Sequence, residues 1–129
     1  ATAAQLRTLL LATSPQQSRL SMIQASKTSV HGSTIVMIPI DDVVYFEAAD
    51  KYIRVLTHDQ EYLIRTPLKD LLSQLDPSVF WQVHRGTVVR VSAIASVHRD
   101  ELFKVTLKLR NRVETLAVSR LYGHLFKAM

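Results

Sequence analysis

The sequence predicts a mainly β fold: several small antiparallel sheets with two or three short helices. Three observations predict it. Short apolar segments recur between breaks rich in Asp, Asn, Gly, Pro and Ser, which gives about eight short strands. The breaks are of hairpin length, so neighbouring strands pair antiparallel, and no βαβ alternation is visible. In the segment from Leu102 to Leu109, Phe103, Val105, Leu107 and Leu109 alternate strictly with Lys104, Thr106 and Lys108, the period of a strand with one face in a core.

Taken in order, residues 1–18 read as a helical piece and a linker. Ala3, Ala4, Leu6, Leu9, Leu10 and Ala12 have helical spacing, and the polar run from Thr13 to Ser18, with Pro15, breaks it. The leucine stripe either packs on another domain or copy, or is a fraying terminus. From residue 19 to 129 the pattern is that of one strand-rich domain. Leu20–Gln24 and Ser33–Met37 suit strands around a turn at Lys27–Gly32, and Pro39 admits a short turn through Asp41 and Asp42. Val44–Ala48 reads as a buried strand. After the polar break Ala49-Asp50-Lys51, Tyr52–Thr57 and Glu61–Arg65 form a hairpin.

Thr66-Pro67-Leu68 is a helix entrance, with Thr66 as cap and Pro67 at the first helical position. Leu68, Leu71, Leu72 and Leu75 supply the apolar stripe, and Asp76-Pro77 ends it. Two adjacent aromatics, Phe80 and Trp81, then lead into His84-Arg85-Gly86, with Val83, Val88 and Val89 as core anchors and Arg90 at the far side. Ala93–Val97 and Leu102–Leu109 flank a charged turn at Arg99-Asp100. Asn111 marks the next turn, Val113–Val118 returns, and Ser119 caps a last short helix through Leu121, Tyr122, Leu125 and Phe126.

Composition bounds the function. The chain has 129 residues, 47% of them hydrophobic, enough for a single real core. No cysteine is present, which excludes disulfides, thiolate metal sites and a cysteine nucleophile, and fits a reducing, cytoplasmic setting. The longest apolar run, Ile35–Ile40, is too short for a membrane span and contains a proline. The net charge of +5 is uneven: residues 1–65 balance six Lys/Arg against six Asp/Glu, so residues 66–129 supply all of it. Such asymmetry fits a polyanionic partner for the second half, or an ordinary basic surface.

No catalytic or cofactor constellation is visible. The five histidines are never at metal-ligand spacing, only three glycines occur and none forms a phosphate loop, and no serine lies in a nucleophile elbow. An enzyme is therefore not expected, nor any cofactor. The polar residues at element ends carry more. Lys51 and Tyr52 follow a break between strands, Arg85 and Arg90 flank Gly86, and Ser119 and Arg120 stand where a strand hands over to a helix. Loop-borne cations on a strand scaffold suit double-stranded DNA: Lys and Ser hold phosphates, and Arg bridges O6 and N7 of guanine. Each has a structural alternative. His84 can be a hydrogen-bonded support, Arg90 can pair with an acidic neighbour, and Lys104 and Lys108 can be the solvated face of a strand.

The ordered segments Ile40–Ala48, Lys51–Val55, Tyr62–Leu68, Phe80 with Val83-His84-Arg85, Val88-Val89, Ile94 and Val118-Ser119-Arg120 resemble the LytTR-type DNA-binding domain of bacterial response regulators. The resemblance spans roughly residues 20–127. It implies an elongated antiparallel β fold whose loops enter successive major grooves and bend the DNA. It further implies a sequence-specific output domain that regulates transcription, acting on tandem half-sites, as a homodimer there, behind an N-terminal regulatory domain. Carried over, the DNA-facing residues are Lys51, Tyr52, Arg54, His84, Arg85, Arg90, Ser119 and Arg120. The chain departs from the family at Gly86, where serine is usual, and at Arg90, near a usual asparagine. An alternative is a protein-interaction module that kept the fold and lost DNA binding.

Overall fold

The computed structural model describes residues 20–126, so the helical piece and linker expected over residues 1–18 lie outside the described residues. Ten strands occur among them. They are β1 (Met22–Ser29), β2 (Gly32–Pro39), β3 (Val43–Ala48), β4 (Ile53–Thr57), β5 (Glu61–Ile64), β6 (Phe80–His84), β7 (Thr87–Arg90), β8 (Ile94–Arg99), β9 (Val105–Leu109) and β10 (Thr115–Val118). One α-helix, α1 (Leu68–Gln74), and three 3-10 turns, Ile40–Asp42, Val91–Ala93 and Arg120–Leu125, complete the described elements. The strands form three sheets, with orders β1-β2, β5-β4-β3-β7-β6 and β10-β9-β8, and every pairing is antiparallel.

The five-stranded sheet is the centre, and its inner strands β4, β3 and β7 are covered on both faces. Phe46 on β3 stands opposite Val55 on β4 and Val88 on β7, while its neighbour Tyr45 stands opposite Leu56 and Val89. The first trio joins Phe80, Leu71 and Leu75 in a core closed by α1 and the β1–β2 hairpin, through Ile23, Ala25 and Ile38. The second trio packs with Val83 against Leu107, Leu109 and Leu116 of the β8–β10 sheet. Because side chains alternate along a strand, a central strand covered on both sides must be apolar at every position. The run Val43-Val44-Tyr45-Phe46, buried throughout, is that sequence.

The local readings hold with shifts that have physical causes. β1 and β2 run further than expected, closing on Ser29 opposite Gly32 around the two-residue loop Val30-His31. Gly32 has φ +129, a conformation that L side chains rarely adopt, so a glycine there permits the tight turn. α1 begins with Pro67, not Thr66, at the cap position and no side chain caps it; proline has no N–H that needs a partner there. Ser119 likewise caps nothing with its hydroxyl, and the last helix is a 3-10 turn.

The largest correction concerns Phe103. It was expected on the core face of a strand starting at Leu102, yet the strand starts at Val105 and Phe103 is 76% exposed with φ +62. Asp100 overrides the alternation. Its Oδ1 accepts from the amides of Leu102 and Lys104, both at 2.8 Å, and its carbonyl accepts from Phe103 N at 3.0 Å. Asp side chains that bond nearby amides compete with strand pairing in this way. Asp76 does the same after α1, accepting from Ser78 N at 2.9 Å.

Candidate nucleic-acid interface

Two backbone hydrogen bonds between distant segments assemble one end of the molecule. The amide of Ala48, at the end of β3, donates to the carbonyl of Gly86 in the β6–β7 turn at 2.7 Å. The amide of Ser119, just past β10, donates to the carbonyl of Val83 at the end of β6 at 2.8 Å. The first bond sets the Lys51-Tyr52 loop beside Arg85; the second sets Ser119-Arg120 beside His84. Three segments far apart in sequence thus meet at one end, each carrying a cation. Lys51, Tyr52, His84, Arg85 and Arg120 are exposed and Ser119 is half-buried.

Each segment is held stiffly. The β3–β4 loop closes by Ala49 N donating to the carbonyl of Tyr52 at 2.7 Å. In the β6–β7 turn, Gln82 Nε2 donates to the carbonyl of Arg85 at 3.1 Å, and His84 Nδ1 lies 3.4 Å from the amide of Gly86. Gln82 was not singled out in the sequence, although a polar side chain in an otherwise apolar strand just before a turn is the signal for such a brace. At the third segment, Tyr122 N donates to the carbonyl of Ser119 at 2.9 Å, opening the 3-10 turn that carries Arg120.

The remaining two expected DNA residues have other partners. Arg54 on β4 lies directly opposite Glu47 on β3 and diagonal to Glu61 on β5, and its guanidinium pairs with both carboxylates. Glu61 pushes the guanidinium further above its usual pKa, burial opposes this, and Glu47 adds to it. Arg90 turns inward. Its Nε donates to the carbonyl of Val43 at 2.8 Å, its Nη2 to the carbonyl of Ile40, and its guanidinium lies 4.6 Å from the centre of the Phe80 ring. Burial pulls its pKa down, with Asp41 and Asp42 opposing, and arginine stays charged through such shifts. Arg54 is thus a sheet cross-link and Arg90 a clamp on the Ile40–Asp42 turn.

A second polar assembly joins the sheets. Tyr45 OH donates to Glu114 at 2.9 Å, Arg112 Nε pairs with Glu114 at 2.5 Å, and Arg112 Nη1 donates to the carbonyl of Thr57 at 2.5 Å. Burial, then Glu114, raise the Tyr45 hydroxyl well above its usual pKa. For Glu114 burial acts upward, but the bonds from Arg112, its own backbone amide and Tyr45 leave the carboxyl below its usual value. Among the described residues no group of three or more His, Cys, Asp or Glu is placed to hold a metal ion. None of the described helices is long and apolar enough to cross a membrane.

Comparison with known proteins places this architecture. An uncharacterised response regulatory protein of Vibrio cholerae is 42% identical over 111 residues, covering 81% of this chain and 40% of that protein. A haem-containing CO-sensing transcriptional regulator of Paraburkholderia xenovorans is 36% identical over 70 residues, 54% of this chain and 26% of its own length. A transcriptional regulatory protein of Escherichia coli K12 is 31% identical over 68 residues, 53% of this chain and 28% of that one. This chain therefore spans less than half the length of these curated relatives. Among solved structures, a LytTr DNA-binding domain of a methyl-accepting/DNA response regulator from Bacillus cereus superposes with a TM-score of 0.68. It is 24% identical and covers 82% of this chain and 93% of that one, a likeness of fold. The family model for the LytTr DNA-binding domain matches residues 33–129, and the chain belongs to that family.

Proposed function

We propose that the end carrying Lys51, Tyr52, Arg85 and Arg120 docks on double-stranded DNA, its loops entering successive major grooves of a bent promoter site. The observation that carries this reading is the pair of bonds Ala48–Gly86 and Ser119–Val83, which align three exposed cationic segments on one rigid sheet end. Rigid elements spend little conformational entropy on docking, so a few side chains suffice to read a sequence. In this reading Lys51 and Ser119 bond phosphates, Arg85 and Arg120 read base edges, and Tyr52 packs on the backbone. His84 supports the elbow. Arg54 and Arg90 act behind the surface by fixing the strands that carry the loops.

The whole protein is a transcriptional regulator in which a further domain receives the signal, and two copies occupy tandem half-sites. The greater length of the Vibrio cholerae response regulatory protein supports the further domain; the tandem half-sites are what the family resemblance implies. Selection of bound duplexes from a random library tests class and symmetry together. Enrichment of a paired motif is expected; an unenriched pool sinks the sequence-specific reading.

A second reading, a protein-interaction module, has one observation of its own. On the outer face of the β1–β2 hairpin, Ile35 and Met37 are 61% and 52% exposed. Absence of affinity for random duplex DNA even at low salt selects this reading over the first.

A further inference from the structure

The β8–β9 turn shares the end of the molecule proposed to bind DNA. Val118 pairs with Val105, so Ser119 and Lys104, the next residues outward, emerge side by side. A groove runs between this turn and the 3-10 turn of Arg120, lined among others by Arg99, Phe103, Lys104, Arg120 and His124. The turn's own carboxylates are set aside: Asp100 is bonded to the amides of Leu102 and Lys104, and Glu101 does not line the groove. Lys104 is exposed and forms no salt bridge among the described residues.

At the tip, Leu102 and Phe103 are 74% and 76% exposed. Phe103 is the only described non-glycine residue with positive φ, a costly conformation for a bulky side chain that persists here because Asp100 over-determines the turn. The chain thus holds an aromatic side chain outward, between cations, on a rigid turn next to Arg120. A solvated loop needs neither the aromatic nor the strain.

We propose that this turn is a fourth DNA-contacting element, with Lys104 on a backbone phosphate and Phe103 packed on the sugar edge beside the groove read by Arg120. This rests on the DNA-binding reading given above. Sugar and phosphate contacts position a protein without reading bases, so the turn extends the footprint without adding a specified base pair. A cation against phosphates and an apolar ring against deoxyribose match the two chemistries of that rim.

The test is hydroxyl-radical footprinting and a salt titration on a duplex selected from a random library, with wild type, Lys104→Gln and Phe103→Gly. Wild type protects sugars outside the outermost base position lost on Arg120→Ala. Both variants lose that flanking protection and keep the interior protection. Lys104→Gln makes the slope of log affinity against log salt shallower by about 0.9. Phe103→Gly relieves the positive φ, so its melting temperature is at least that of wild type and a weaker flank is no folding defect. Unchanged flanking protection in both variants overturns the proposal. So does a loss seen only as reduced cooperativity between two sites, which makes the tip a contact between copies. Absence of any protection by wild type defeats the DNA-binding reading itself, an outcome distinct from either.

Discussion

Ala48 and Gly86 are joined across the β3 end and the β6–β7 turn by a 2.7 Å backbone bond, and a Cβ built on Gly86 meets the Ala48 Cβ at 3.4 Å. That contact is ordinary van der Waals packing, and Gly86 does not have the left-handed φ seen at Gly32. Glycine is therefore not required by the backbone here. Gly86→Ser should fold with stability within about 0.5 kcal/mol of wild type by urea unfolding. Its hydroxyl, beside Arg85, is positioned to gain a phosphate, so DNA affinity should hold or rise. A strongly destabilised serine variant contradicts this account of the turn.

Arg85→Ala and Arg120→Ala should each cost about 1–3 kcal/mol on the selected site, with relaxed preference at one base position apiece. Lys51→Ala should weaken binding on all sequences alike and reduce the salt slope by about 0.9. Fluorescence anisotropy on selected and scrambled duplexes separates the two behaviours. If loss in the lysine variant is confined to one base position, Lys51 reads bases instead.

Arg90→Gln should act on stability first. It removes the guanidinium from the carbonyls of Val43 and Ile40 and from the Phe80 ring, and charged hydrogen bonds of this kind contribute about 1.5–3 kcal/mol. A lower urea midpoint with an unchanged base preference is expected. A variant as stable as wild type but weak on DNA returns Arg90 to the DNA surface.

Glu114 predicts an acid dependence whose sign follows from its depressed folded pKa. The unfolded carboxyl titrates near 4.5, so the stabilisation is full above that pH and is lost as pH falls through the lower folded value. Wild type should exceed Glu114→Gln in urea midpoint at pH 7, and the gap should narrow as acidification takes the pH below the unfolded carboxyl's value and through the lowered folded one. A gap that stays constant across that range means the carboxylate charge contributes nothing through Arg112.

Most strands, the hairpins and most of the core were legible in the residues alone, because alternation, β-branching and turn chemistry are local signals that hold wherever no side chain competes for the backbone amides. The apolar run at Val43–Phe46 already marks the strand covered on both faces, and Phe80, Val83, Val88 and Val89 fall in the core as their spacing requires. The exposed positions of Lys51, Arg85 and Arg120 were legible for the same reason: they stand at element ends, where side chains meet solvent. The partners of long polar side chains, by contrast, follow only from how distant segments come together. Arg90 reads as a cation beside a loop, yet the carbonyls that hold it lie 47 and 50 residues away. Arg54 meets Glu47 and Glu61 only once β3, β4 and β5 pair in register. Phe103 continues an apolar alternation until Asp100 takes the amides of Leu102 and Lys104 and ends it. A flexible charged side chain is placed by the nearest unsatisfied acceptor, and sequence spacing does not encode that distance.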